Sequence, residues 1–456
     1  MASNLLIGTL NRIDSTTLAG GSWQSTLPLA NIKDRRLSKL ARTSTAATAD
    51  TQFTMDMGQA RSVGAMALVA HNLSVNAKVR LTGADSSTAF TNLLSFPNDF
   101  DNAAWTKSNG SITADVATAP DGTMTADKLV ENTSSGVTHY IAQTSSALTS
   151  GQVVTWSCSI KAAERTEVMF RIFAVGAFTS NRLCYVNLLT GSVSGNTGVF
   201  TISVMNQQNG WVNLAITATA DTNGNATCGI FTAVNGNNTY PGDGTSGIYL
   251  WGAQLVQGAG TTYDSGYVPV WPSGTIPQSL LEWEDDNFWL GTVSQEAVAG
   301  FNAPFVLPLA SPQTLRYWKI EVVDTTNPSA YVQIGRVYIG SSWQPTYDRS
   351  YGASMGYEDI SVIEASLAGE EFFDVRRRRR GHRFELGFMS QTEYMDRVLE
   401  LQRLQGVTGE VLIVPDVTDT ANQAKVSFLG RLKSLNPVEQ PYYNTWSCNL
   451  EIQEIL

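Results

Sequence analysis

The sequence is short of charge, cysteine and histidine. Only 15% of its 456 residues are charged, against roughly 25% in an ordinary soluble domain, while 43% are hydrophobic. The polar surface must therefore come from Ser, Thr, Asn, Gln and Gly, a balance that suits β-rich, loop-rich domains. The formal charge is −10, so the positive field that non-specific nucleic-acid binding needs is missing and DNA is not an expected partner. The four cysteines, Cys158, Cys184, Cys228 and Cys448, show no CxxC spacing, and His71, His139 and His382 form no i, i+4 pair. That argues against a zinc site and for reduced, buried thiols. No run approaches 18 apolar residues, and MASNLLIGTLNR sets no basic leader before an apolar core. Neither a membrane span nor a Sec signal is expected. HExxH and GxxxxGK[ST] are missing as well, and no enzymatic activity is expected.

What is present divides by charge. Residues 1–92 hold nine basic and five acidic side chains, residues 93–271 six and eleven, and residues 272–456 fifteen and twenty-four. Length alone suggests about three domains at roughly 150 residues each. In the middle segment, alternating or β-branched runs such as GQVVTWSCSIKA, EVMFRIFAVG, NRLCYVNLLTG, ATCGIFTAVNG and SGIYLWGAQLV stand between Asn/Gly turns. They read as strands of an antiparallel sandwich, a jelly roll. TQFTMDMG and VGAMALVAHNL before it, and LRYWKIEVVD and YVQIGRVYIG after it, are β-like too. One helix is expected at Gln391–Gln405, with Ser390 and Glu393 at capping-box spacing, Gly406 at its end, and Met395, Val398, Leu401 and Leu404 on one face.

The segment NLLSFPNDFDNAAWTKSNGSITADVATAPDGTMTADKLVEN, with GIYLWGAQLVQGAGTTYDSGYVPV some 115 residues later, resembles the two ends of a carbohydrate-binding-like jelly-roll module common in bacteriophage virion proteins. FTMDMGQARSVGAMALVAHNLSVNAKVRLTGA resembles the first half of a galactose-binding-like (discoidin-type) sandwich, whose last strands look like RYWKIEVVDTTNPSAYVQIGRVYIGSSWQP. The economical reading is domain insertion at a loop. The last hundred residues, with FELGF, a helix, GEVLIVPD and LEIQEIL, are similar to assembly domains of phage tail-tip and distal-tail proteins. The expected fold class is therefore mainly β: a split sandwich (1–92 plus 272–347), an inserted jelly roll (93–271), and a small α+β assembly domain (348–456).

Sugars present CH faces to flat rings and hydroxyls to amides and carboxylates. Trp156, Trp211 and Trp251 lie inside strand patterns and are assigned to packing; Trp105, Tyr140 and Tyr240, nearer turns, are the candidates for sugar contact. Asp121, Asp221 and Asp243 are candidate ligands for a structural calcium of the kind such modules often carry, or else ordinary Asx turns in APDG, DTNGN and PGDG. No cofactor is otherwise required. Glu282, Glu284, Asp285 and Asp286 in LLEWEDDNFW lack the separation that a glycosidase pair needs and read as a linker anchored by Trp283 and Trp289. The run Arg376, Arg377, Arg378, Arg379 and Arg380 is assigned to inter-subunit or phosphate contact, with its members divided between two faces if extended. His71 reads as a structural residue at a strand end.

The resemblances imply a structural protein of a phage tail tip or baseplate, made in the bacterial host cytoplasm and located in the virion. It would assemble as a trimer or hexamer with other tail proteins and present a module to host-surface glycan. A purely architectural protein with a decorative insert, and a polysaccharide depolymerase, are the alternatives.

Overall fold

The computed structural model describes residues 4–74, 77–120, 124–258, 262–265, 304–419 and 422–456. They form two compact units, Met1–Arg80 with Gly266–Leu456, and Leu81–Ser265. Both are built mainly from antiparallel β-sheet.

The chain opens with β1 (Leu6–Asn11) and the 18-residue β2 (Gln52–Val69). In β2, Phe53, Met55 and Met57 alternate with half-exposed Gln52, Thr54 and Asp56; beyond Gly58, which has a positive φ within the strand, all of Val63–Val69 is buried. Alternation marks a sheet with one wet face, and the continuous run marks one covered on both.

The Leu81–Ser265 unit contributes β3 (Thr106–Ser108), β4 (Gly110–Ala117), β5 (Ala126–Glu131), β6 (Tyr140–Leu148), β7 (Val153–Ala162), β8 (Glu167–Ile172), β9 (Arg182–Asn187), β10 (Val193–Thr197), β11 (Thr201–Asn206), β12 (Trp211–Thr219), β13 (Gly224–Ala233) and β14 (Gly247–Gln257). One sheet has the order β10-β9-β8-β13-β6-β3, the other β11-β12-β7-β14-β5-β4. The chain passes repeatedly from one sheet to the other, as in a jelly roll, with β4–β5, β8–β10 and β11–β12 each staying within a sheet. Their facing sides share one core, where Trp156 of β7 stacks on Phe170 of β8 at 4.9 Å. The thiols of Cys158, Cys184 and Cys228 lie in it and are pushed up by burial, so they pack as small apolar groups.

The first unit then resumes with β15 (Phe305–Val323), β16 (Arg336–Trp343), β17 (Ser354–Glu358), β18 (Val362–Ala365), β19 (Glu371–Asp374), β20 (Arg379–Met389), β21 (Val411–Val414), β22 (Phe428–Leu432) and β23 (Thr445–Glu454). The stretches far apart in sequence pair directly: Met55 lies opposite Trp318, and Met66 opposite both Leu307 and Ile339. The main sheet runs β15-β2-β16-β1-β21-β22-β23-β20-β17. The 348–456 stretch, expected as a domain by itself, thus shares a sheet with the split portion through β1. Ile7 pairs with Trp343 on one side and Ile413 on the other. Leu5 and Ile7 enter one core with Phe384, Leu450 and Ile452, while Leu6 enters another with Tyr338, Leu412 and Leu429.

The helical run α1 comprises Gln391–Glu393, a π-helical Tyr394–Leu399 and an α-helical Glu400–Gln405. Ser390 Oγ accepts from the Glu393 N–H at 3.1 Å, and Gly406 follows the last turn at φ +51. The Glu393 carboxylate accepts from the Thr346 N–H at 2.8 Å rather than closing a reciprocal box. Val398 and Leu401 are buried, but Met395 and Leu404 are 46% and 48% exposed. An i, i+3 spacing falls about 60° short of a full α-helical turn at each step, so four such positions drift around the helix.

Arg336 on β16 is fully buried. Its Nε and Nη2 donate to the Glu410 carboxylate at 2.9 and 2.7 Å, and Nη1 meets Asp14 at 2.7 Å. Glu410→Ala should cost about 3–5 kcal/mol in urea unfolding by stranding this guanidinium, whereas Arg336→Met with Glu410→Leu should recover most of the loss. His382 is buried; burial, reinforced by Arg349, lowers its pKa to about 4 from 6.5. The unfolded chain takes up the proton first, so stability present above pH about 6.5 declines as pH falls toward 4. His382→Phe should flatten that slope in pH-dependent unfolding.

Candidate functional site

In the sheet β10-β9-β8-β13-β6-β3, alternation divides each strand between core and outer face. Val168, Phe170 and Ile172 of β8 point into the core, so Glu167, Met169 and Arg171 point out. The register sets Tyr140, Phe231, Met169, Tyr185 and Ser194 opposite one another across five strands. Beside that row runs another of Ala142, Gly229, Arg171, Leu183 and Thr197.

Tyr140 stacks on Phe231 with centroids 4.4 Å apart, and Phe173, just past β8, lies 6.1 Å from Tyr140 and 5.8 Å from Phe231. Arg171 lies over Phe173 at 4.2 Å while its Nη2 donates to Asn181 Oδ1 at 2.7 Å. That amide oxygen also accepts from the Ala174 N–H at 2.8 Å, fixing the turn that carries Phe173. Two glycines make room for the rings. A Cβ at Gly229 would meet Phe173 Cε2 at 2.7 Å, and one at Gly195, whose φ is +63, would meet the Tyr185 ring at 2.8 Å. The Tyr185 hydroxyl donates to Asn238 Oδ1 at 3.2 Å, and burial together with nearby Glu167 raises its pKa, so it stays a neutral phenol at neutral pH. Tyr140, Arg171, Phe173, Tyr185 and Asn238 are all partly accessible. The result is a rigid face of half-exposed rings bordered by a guanidinium and amides. Such a face can stack on the CH surface of a sugar and bond its hydroxyls.

Of the three aromatics named from sequence, Tyr140 alone joins this face. Trp105, expected to be accessible near a turn, is buried: its indole N–H donates to the Phe96 carbonyl at 2.9 Å and its ring packs 4.9 Å from Phe100. Tyr240 is also buried. Its hydroxyl donates to Glu131 at 2.7 Å, and Glu131 is gripped in bidentate fashion by Arg165 and accepts the Asp243 N–H at 3.0 Å. Burial alone would raise the Glu131 carboxyl, but Arg165, Tyr240 and the Asp243 N–H together hold it below the usual range. This network ties β5 to two loops and leaves no oxygen of Glu131 open to a ligand. Trp156, Trp211 and Trp251 are buried in packing positions.

The Asp243 carboxylate accepts from the Ser246 N–H at 2.7 Å, the Thr245 N–H at 2.8 Å and the Ser246 hydroxyl. Asp221 accepts from the Thr179 N–H at 2.7 Å and from Arg182 at 2.8 and 3.0 Å. Both are lowered in pKa by these donors, which compete with a metal ion for the carboxylate oxygens. Asp121, Glu282, Trp283, Glu284, Asp285, Asp286 and Trp289 lie outside the described residues. Among the described residues no three His, Cys, Asp or Glu side chains are grouped to hold a metal.

The arginine run does not form one patch. Arg380 is buried, its guanidinium bound to Glu454 and to the Lys425 carbonyl at 2.9 Å. Arg379 pairs with Glu358 at 3.1 Å, and exposed Arg376 and Arg378 pair with Asp374 and Asp359. Gly352-Ala353-Ser354-Met355-Gly356 has nucleophile-elbow spacing, yet Ser354 lies in β17 opposite Arg383, and it is the next residue, Met355, that lies opposite His382. Successive residues alternate faces, so Ser354 and His382 are on opposite sides of the sheet, without the strand–turn–helix setting of an elbow. His71 Nδ1 accepts from the Leu73 N–H at 3.2 Å at its strand end.

Sequence reading missed Arg171, Phe173, Tyr185 and Asn181. The available signal was EVMFRIF, in which Met, Arg and Phe alternate with the core residues of β8.

No family model matches the sequence, and no curated protein matches it. Among solved structures, the enzymatically active domain of tailspike protein 4 from bacteriophage CBA120 is similar at 13% identity and a TM-score of 0.23, over 36% of this chain and 21% of that one. The chain thus spans about a fifth of that domain's length. The CBM22-1 xylan-binding domain of Xyn10C from Paenibacillus barcinonensis is similar at 10% identity and a TM-score of 0.21, over 39% of this chain and 92% of that one.

Asp221→Ala should strand the buried Arg182 and cost on the order of 2 kcal/mol. Calcium should leave the unfolding midpoint of the native chain unmoved; a rise on adding calcium would show a site that these donors do not occupy.

Proposed function

We propose that this chain is a structural component of a bacteriophage tail tip or baseplate that assembles as a symmetric oligomer and presents the Leu81–Ser265 unit to host-surface glycan. The observation that carries the glycan reading is the set of partly exposed rings Tyr140, Phe173 and Tyr185 beside Arg171, aligned by a strand row whose Phe231 and Met169 are themselves buried. Rings held half-exposed by glycine slots are costly to leave wet unless something covers them. The tail reading rests on the likeness of residues 92–132 and of the closing strand to virion modules. The face carries no pair of carboxylates across a gap, which favours binding over glycoside cleavage.

A single face of this size binds sugar weakly, because hydroxyls exchange water hydrogen bonds for protein ones with little net gain. Copies in a symmetric assembly raise avidity by roughly 10² to 10⁴ when they engage together. Symmetry and adhesion therefore belong to one reading, and the protein acts without catalysis, in the virion.

The test is a glycan array with the full chain, followed by titration of a positive glycan against Tyr140→Ala and Tyr185→Ala. Each should weaken binding about tenfold or more, a loss of about 1.4 kcal/mol, while Tyr249→Ala on the other sheet leaves it unchanged. No bound glycan on the array, or equal affinity in all three variants, would leave the architectural reading in its place.

A further inference from the structure

Between β17 and β20 the chain makes an excursion, residues 359–378, built on the hairpin of β18 and β19. Val362 lies opposite Asp374, Ile363 opposite Phe373, Glu364 opposite Phe372 and Ala365 opposite Glu371. Opposed residues share a face and neighbours alternate, so one face carries Ile363 and Phe373 and the other Val362 and Phe372. Both faces carry large apolar side chains beside acidic ones, Asp374 and Glu364 with Val362 and Phe372, Glu371 with Ile363 and Phe373, and both are open: Ile363, Phe372 and Phe373 are 60%, 61% and 60% exposed, and Leu367 at the turn and Val375 at the base are exposed too. Among the described residues, β18 and β19 pair with each other and with no other strand. An isolated two-stranded hairpin is marginal in water, and large side chains on both of its faces mark a surface that a partner covers.

Charge says which partner. Around the hairpin turn the chain carries Glu364, Glu370 and Glu371, with no Lys or Arg from 359 to 375. Its root carries Arg376, Arg377 and Arg378. Arg376 and Arg378 hold Asp374 and Asp359 at 2.6 and 3.3 Å in exposed ion pairs, which water and salt readily exchange. No acidic partner approaches Arg377 among the described residues. One chain therefore offers an acidic, apolar tip and a basic, apolar root, and each half is what the other half requires.

We propose that residues 359–378 form an assembly arm that seats on a second copy of this chain, with its acidic tip over the other copy's Arg376–Arg378 and its apolar faces covered by the other copy's hairpin. This rests on the oligomeric part of the functional reading and not on the glycan part. Because Ile363, Glu364, Glu370, Glu371, Phe373 and Arg376–Arg378 are all exposed, substitutions at them leave the folded core intact.

Sedimentation velocity of the full chain over a concentration series tests it. The native chain associates, less strongly at high salt. Ile363→Asp with Phe373→Asp weakens association at least tenfold with an unchanged unfolding midpoint. Glu364→Lys, Glu370→Lys and Glu371→Lys together do the same, as do Arg376→Glu, Arg377→Glu and Arg378→Glu together, and the six reversals combined regain association. A native chain that stays monomeric, with or without other proteins bound, overturns both the arm and the oligomer. A native oligomer whose mass none of the variants changes overturns the arm alone.

Discussion

The structure of the first unit depends on β1 being paired on both edges. Six residues sit between β16 and β21, and at their start Leu6 and Ile7 send side chains into two different cores. Without that strand, the sheet made by β15, β2 and β16 and the sheet made by β21, β22, β23, β20 and β17 have no common hydrogen-bonded neighbour. The buried Arg336–Glu410 pair spans the same junction, so a charge that is costly to strand lies where the two groups of strands are joined. A chain whose middle is given to another unit must bring distant segments together, and it does so where both faces of the sheet are covered and a register slip would invert every side chain.

The jelly-roll strands were legible because alternation and Asn/Gly turns are local signals. Both ends of α1 were legible for the same reason: Ser390 caps locally and Gly406 supplies a positive φ. What could not be read depended on partners remote in sequence. Arg380 looked like one of five equivalent arginines, but Glu454, 74 residues on, makes it a core residue. Tyr240 looked accessible near a turn, but Glu131, 109 residues before it, draws its hydroxyl inward. The face of Tyr140 and Tyr185 exists only through the register of three pairings, which the alternation within EVMFRIF does not specify. The continuity through β1 belongs to the same class.

The two sets of aromatics in the jelly-roll unit show how environment divides similar residues between roles. Trp105, Trp156 and Tyr240 spend their rings on packing and their polar atoms, where bonded, on the protein itself. Tyr140, Phe173 and Tyr185 keep ring area toward solvent and are held there by Gly229, Gly195 and Asn181. Rigid rings lose little entropy on meeting a ligand, which suits a weak site multiplied by symmetry. On the proposed reading, the arm at 359–378 would serve assembly and the aromatic face attachment.

Hydroxyl-radical footprinting of the full chain with and without surface polysaccharide from a susceptible host reads the aromatic face directly. The account predicts slower oxidation of Tyr140, Phe173 and Tyr185 in the presence of polysaccharide, with Tyr249 unchanged. Equal oxidation of those three with and without the polysaccharide that the protein binds would contradict it.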